Sequence, residues 1–276
     1  MIDAVQTHYC SEGADLAAQI RAGLASAGKD LSRLTTTDLA PVDEFHIRGR
    51  QATLELAERM QLTAESHVLD IGSGLGGPAR TIGETYGCRV TGIDLTQPFC
   101  EAANAMSEWL GLADRVRCFH GDATALPFDD GTFDAAMTIH AGMNIPAKDA
   151  LYAGARRVLK PGGLFAVYDV LQGEGGPVLY PVPWARDATH SYLSTPEEMR
   201  KLLTEAGFEI LDEHDSTEAS LRWFEEVKAR IARSGPAAVT FQTFLGADFP
   251  VMARNQVQNL AERRIRTVSY TCRPSR

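Results

Sequence analysis

The chain has 276 residues, 44% of them hydrophobic and 23% charged, ordinary globular values that exclude disordered, coiled-coil and collagen-like chains. Its 27 Lys and Arg against 36 Asp and Glu give a net charge of −9, which argues against a nucleic-acid or anionic-membrane partner, since both favour a basic face. No apolar run approaches the ~18 residues of a membrane span. The opening residues Met1-Ile2-Asp3-Ala4-Val5-Gln6 lack the basic stretch and apolar core of a signal peptide. Five scattered cysteines (Cys10, Cys88, Cys100, Cys118, Cys272) without a Cys-x-x-Cys fit free thiols better than a disulfide frame or a zinc site. The expectation is a cytoplasmic chain with no metal.

Leu16, Ile20 and Leu24 recur at helical spacing, and residues 1–60 read as an N-terminal helical cap on a domain spanning 61–276. From His67 onward, short β-branched runs alternate with helical patterns, the sign of a parallel sheet. Strands are expected at 67–71, 88–94, 115–120, 133–139 and 163–170, and helices at 78–86, 98–110 and 149–159. The last of these helices ends at the turn Lys160-Pro161-Gly162-Gly163. A Gly- and Pro-rich loop follows over 172–183. Thr195-Pro196-Glu197-Glu198 starts a helix that stops at Ala206-Gly207, and a strand begins at Phe208. A helical insertion over about 216–263, broken at Ser234-Gly235-Pro236, precedes a last strand over 265–272. The fold class is α/β, doubly wound, with its ligand beyond the C-terminal strand ends.

Asp70-Ile71-Gly72-Ser73-Gly74-Leu75-Gly76-Gly77 joins the first strand to the first helix of the sheet. Glycines there let the backbone turn sharply and let a ligand approach the main chain. Asp94 ends the second strand about 20 residues later, the offset at which a carboxylate meets a ribose diol. Nicotinamide dehydrogenases share both features. A pyrophosphate disfavours a carboxylate such as Asp70, however, whereas an amino-acid ammonium welcomes one. Asp122, in Gly121-Asp122-Ala123, closes the third strand with a further carboxylate placed for an adenine amino group.

With Phe133-Asp134 and Leu159-Lys160-Pro161-Gly162-Gly163, this set resembles the class I S-adenosylmethionine-dependent methyltransferases over roughly residues 50–215. It is most similar to the branch holding ubiquinone/menaquinone, sterol and tocopherol C-methyltransferases, glycine–sarcosine N-methyltransferases and natural-product sugar O-methyltransferases. The resemblance implies a seven-stranded, Rossmann-like sheet whose last strand is antiparallel, S-adenosyl-L-methionine as cofactor, and a small-molecule acceptor. By that resemblance Gly72 and Gly74 lie under the cofactor's methionine and ribose, and Asp70 near its ammonium. Asp94 holds the ribose hydroxyls with Leu95 against the adenine. Asp122 takes the adenine amine with Ala123 beside it, and Ile139 and His140 face the sulfonium end.

His140 is the first candidate for a general base, with His46 and Asn144 as further catalytic candidates. Some sugar O-methyltransferases of the branch have a His-His pair where this chain has Met143-Asn144, a departure from a base-assisted O-methyl reaction. Tyr9, Arg48, Tyr180 and Trp184 are candidates for the substrate pocket. The insertion, with Trp223, Phe224, Phe241 and Phe244, is left open between lid, dimer face and core. A nucleic-acid or protein methyltransferase and a non-catalytic cofactor-binding protein are the competing readings. The place after the fourth strand reads Ile139-His140-Ala141-Gly142, unlike the Asn/Asp-Pro-Pro-aromatic motif of exocyclic-amine methyltransferases.

Overall fold

The computed structural model describes residues 15–237 and 239–275. The chain enters through helices α1 (Leu16–Ser26), α2 (Thr36–Asp43) and α3 (Gly49–Glu58). It then runs β1 (His67–Ile71), α4 (Gly77–Tyr86), β2 (Arg89–Asp94), α5 (Gln97–Trp109), β3 (Val116–His120), β4 (Phe133–Ile139), α6 (Lys148–Val158) and β5 (Leu159–Gln172). It ends with α7 (Pro196–Glu205), β6 (Phe208–Asp215), α8 (Thr217–Ser234), α9 (Gln242–Leu245), α10 (Phe249–Ala261) and β7 (Ile265–Pro274).

The seven strands form one sheet in the order β3-β2-β1-β4-β5-β7-β6. The first five strands are parallel to one another, and β7 is antiparallel to both β5 and β6. This is the doubly wound sheet with an antiparallel last strand. Strand order reverses between β1 and β4. Ile71 lies opposite Ile93 on one side and Thr138 on the other, so the loops leaving β1, β2 and β4 emerge together.

Side chains alternate across the sheet. Leu69, Ile71, Phe133, Phe165 and Val167 face one core layer, closed by Leu151, Tyr152 and Ala155 of α6 and Met199 and Leu203 of α7. Val68, Val90, Ala135, Met137 and Ala166 face the other, closed by Leu56 of α3 and Ile82 of α4. A third apolar cluster joins the N-terminal helices to the insertion: Ile20, Leu24 and Leu39 meet Phe99 and Met106 of α5, Phe244 and Leu245 of α9 and Met252 of α10. Each such burial is worth ~1.5–3 kcal/mol.

Two elements differ from the sequence expectation. β5 begins at Leu159, which pairs with Phe133, and the pairing register shifts before Ala135. The Lys160-Pro161-Gly162 turn is therefore absorbed as an irregularity inside the strand, with Gly162 at φ +82°. The stretch after Gly235 is two helices separated by a 3₁₀ turn over Gly246–Asp248, where Gly246 takes φ +72°. α7 starts at the expected cap: Thr195 accepts from the Glu198 N–H while Glu198 accepts from the Thr195 N–H.

Candidate functional site

A cavity of about 170 Å³ opens at the C-terminal strand ends. Its floor is the loop after β1. The Gly72 and Ser73 N–H groups donate to the Ile93 carbonyl at 2.8 and 3.1 Å, which ties the loop to β2. Gly72 takes φ +79°, where a Cβ would collide with that of Ala141. Gly74 takes φ +52° and looks onto open space. The loop thus presents bare backbone to the cavity, a cradle that side chains would fill.

Carboxylates mark the ends of β2 and β3. Asp94 accepts the Gly74 N–H through Oδ2 and the Thr96 N–H through Oδ1, both at 2.8 Å, so the loop and the carboxylate fix each other. Asp122 Oδ1 accepts from the Thr124 N–H at 2.8 Å and its hydroxyl at 2.7 Å. Leu95, Ala123, Ile139, His140 and Asn144 complete the wall on this side.

Asp70 does not line the cavity. It lies buried below the loop, 1% exposed, with Oδ2 lacking a partner. Burial, reinforced by the Asp94 and Glu44 charges, raises its carboxyl to about 8. A buried orphan carboxyl beneath a bare glycine loop fits an incoming ammonium, and Asp94 and Asp122 fit ribose hydroxyls and an adenine amine.

The roof comes from the segment after α2. Asp43 pairs with the fully buried Arg80 of α4 at 2.7 Å. Burial raises Asp43 to about 6 despite that partner. Glu44 accepts from Thr53 at 2.8 Å and from Thr81. His46 follows. Its Nε2 lies 2.9 Å from the Gly49 carbonyl, which only accepts, so Nε2 carries the proton and Nδ1 the lone pair. Burial lowers the imidazole to about 4 and keeps it neutral.

His140, just past β4, takes φ +49° and donates its N–H to the Tyr168 carbonyl at 2.7 Å. Its ring lies 5.9 Å from that of His46 and 4.8 Å from that of Tyr168. Its Nε2 is buried without a partner. Burial first, then His46, holds it well below the ordinary histidine value. Asn144 donates from Nδ2 to the carbonyls of Trp184 (2.8 Å) and His190 (3.2 Å), which anchors the loop behind the cavity.

Three of the substrate candidates fall elsewhere among the described residues. Arg48 is buried and paired with Glu55, beside His214 and Ser269. Tyr180 and Trp184 pack with Val170 and Leu260, and the Trp184 indole donates to Ser191 at 3.0 Å. Tyr9 lies outside the described residues. Phe45, Phe99, Phe244 and Ile145 line the cavity and were not singled out as site residues. Phe45 adjoins His46 in sequence, a signal that was available. Phe244 arrives from the insertion, and only its aromatic character was legible.

The chain matches the model of a methyltransferase domain over residues 69–167. It is 36% identical over 180 residues to a sterol 24-C-methyltransferase of Eremothecium gossypii, covering 58% of this chain and 44% of that protein. The chain thus spans less than half the length of that relative. It is 29% identical over 236 residues to a sarcosine/dimethylglycine N-methyltransferase of Halorhodospira halochloris, covering 84% of this chain and 81% of that one. Phosphoethanolamine N-methyltransferase 2 of Haemonchus contortus, solved in complex with S-adenosyl-L-methionine, superimposes with a TM-score of 0.72 at 20% identity, covering 93% of this chain and 60% of that one. Residues 69–167 thus match a methyltransferase domain, and the relatives that the chain resembles are named as methyltransferases. Solved structures that it resembles hold S-adenosyl-L-methionine or S-adenosylhomocysteine. Among the described residues no helix is long and apolar enough to cross a membrane.

Proposed function

We propose that the chain transfers a methyl group from S-adenosylmethionine to a small-molecule acceptor. The observation that carries this reading is the convergence on one cavity of the bare Gly72–Gly74 backbone, Asp94 and Asp122. Gly72 and Gly74 would hold the methionine and ribose, Asp94 the ribose hydroxyls, Leu95 and Ala123 the adenine faces and Asp122 its amine. Asp70 would meet the ammonium from below, and Ile139 would lie at the sulfonium end. When bound, the cofactor supplies a methyl already activated on a sulfonium. The protein's work is then to orient the acceptor and exclude water, worth up to ~7–11 kcal/mol for well-placed reactants.

His140 is proposed as the group facing the acceptor, with His46 and Asn144 holding its surroundings in place. The 1–60 cap and the 216–263 insertion are proposed to close the cavity jointly. Supporting this, the Phe45 ring lies 4.8 Å from Phe241 and 5.1 Å from Phe244. The −9 charge and the buried free thiols Cys88, Cys100, Cys118 and Cys272 support a cytoplasmic setting without a nucleic-acid partner, and an electrophoretic shift assay tests the latter.

Calorimetry with S-adenosylhomocysteine tests the cofactor half. Binding is expected, weakened at least tenfold in Asp94→Ala. The absence of heat at high micromolar ligand, with folded protein, would overturn the reading.

A further inference from the structure

We infer that the acceptor is a molecule with an apolar body that presents one weakly acidic hydroxyl, a phenol or an enol, to His140, and that acceptors carrying carboxylate or phosphate are excluded. This rests on the methyl-transfer reading and names the substrate class of the same site.

Charge is the first ground. Asp43, Asp94 and Asp122 line the cavity, and among the described residues no Lys or Arg does. Residues 1–14 contain neither Lys nor Arg. The nearby cations are committed elsewhere. Arg80 is held by Asp43 and the Ala103 carbonyl, Arg48 by Glu55, and Lys148 by the carbonyls of Gly142 and Ile145. A buried anion needs a paired cation or a set of donors, and this cavity provides acceptors instead.

The walls are the second ground. Phe45, Phe99, Phe244, Ile139 and Ile145 supply apolar and aromatic surface that suits an unsaturated body.

His140 is the third. Its Nε2 is a buried nitrogen with no partner among the described residues, on a ring braced between His46 and Tyr168 and a backbone held at φ +49°. With the imidazole proton on Nδ1, Nε2 offers a lone pair, and a ligand hydroxyl is its complement. In the reaction the hydroxyl proton passes to Nε2 and the oxygen pair forms the new C–O bond. The pair of the broken C–S bond stays on sulfur, and the imidazolium returns its proton to water. A phenol with pKa ~10 is ionised about one part in a thousand at pH 7, so proton removal is worth up to about 10³ in rate.

The test is binding to protein already loaded with S-adenosylhomocysteine, followed by calorimetry. The probes are 2-naphthol, 2-methoxynaphthalene and 6-hydroxy-2-naphthoate. The naphthol is expected to bind at least tenfold more tightly than the naphthoate. His140→Asn is expected to weaken the naphthol about tenfold, the loss of one hydrogen bond, and to leave the methoxy compound unchanged. Naphthoate binding as tight as the naphthol, or a naphthol affinity indifferent to His140→Asn, would overturn the proposal. The comparison on unaltered protein decides the charge argument even where His140→Asn fails to fold. Failure to load S-adenosylhomocysteine would instead strike the methyl-transfer reading itself.

Discussion

Replacing Asp70 by Asn should change how stability depends on pH more than it changes stability at any one pH. The wild-type carboxyl is buried and raised from an ordinary 3.8 to about 8, chiefly by desolvation and then by the Asp94 and Glu44 charges. Between those two values the folded protein holds a proton that the unfolded chain has released. Stability from this group is therefore fully present below pH 4 and is lost as pH rises toward 8. At ~1.4 kcal/mol per unit, the wild type forfeits about 3–4 kcal/mol between pH 5 and pH 8 through Asp70, and the Asn variant forfeits none. The amide leaves a buried N–H group to satisfy, at a cost of ~1–3 kcal/mol that does not vary with pH. The other shifted groups titrate in both proteins: Asp43 near 6, Asp169 near 7 and His46 near 4. Contributions from groups that do not interact with Asp70 cancel in the difference, while Asp94 and Glu44 respond to its removal. Urea denaturation of the ligand-free protein at pH 5, 6, 7 and 8 measures it. Asp70→Asn should gain on the wild type steadily across the series. Two parallel curves would refute the reasoning, because they would mean that Asp70 is already ionised in the folded state at pH 5.

Arg80→Met removes the partner of buried Asp43 and should cost ~3–5 kcal/mol at pH 8, and less at pH 5, where Asp43 becomes neutral on passing below about 6; denaturation at the two pH values compares them. Gly72→Ala should lower S-adenosylhomocysteine affinity at least tenfold by calorimetry, because its Cβ meets Ala141 and its φ of +79° disfavours any side chain. Thr195→Ala loses the capping box of α7 and should cost ~1 kcal/mol in denaturation while leaving that affinity unchanged.

The local patterns were legible. His67-Val68-Leu69-Asp70-Ile71 followed by glycines reads as a buried strand and a ligand loop, because strand alternation and the need for positive φ are written in consecutive residues. Asp94 and Asp122 were legible for a related reason: Asp94 ends β2, Asp122 lies two residues past β3, and parallel strands bring their C-terminal ends together. What the sequence left open depends on register and on distant chain. β4 and β5 pair Ile139 with Tyr168, and this alone places the tyrosine ring against His140. Phe244 reaches the cavity from the insertion, where nothing in its own neighbourhood distinguishes a wall residue from a core one. Asp70 stands one residue beyond Leu69 and so turns to the opposite face, Val68's, under the loop. Tyr180 and Trp184 sit in a loop on the ligand side, yet the apolar cluster around Val170 and Leu260 claims both rings.

Arg80 has one more consequence. Its guanidinium grips Asp43 at the end of α2 and the carbonyls of Leu75, in the glycine loop, and Ala103, in α5. Roof, floor and one side of the cavity are thereby riveted at a single point. Lifting that roof would tear a buried charge from the carboxylate that pairs it. On the insertion's side, Phe244 meets Phe45 and Phe99 ring to ring.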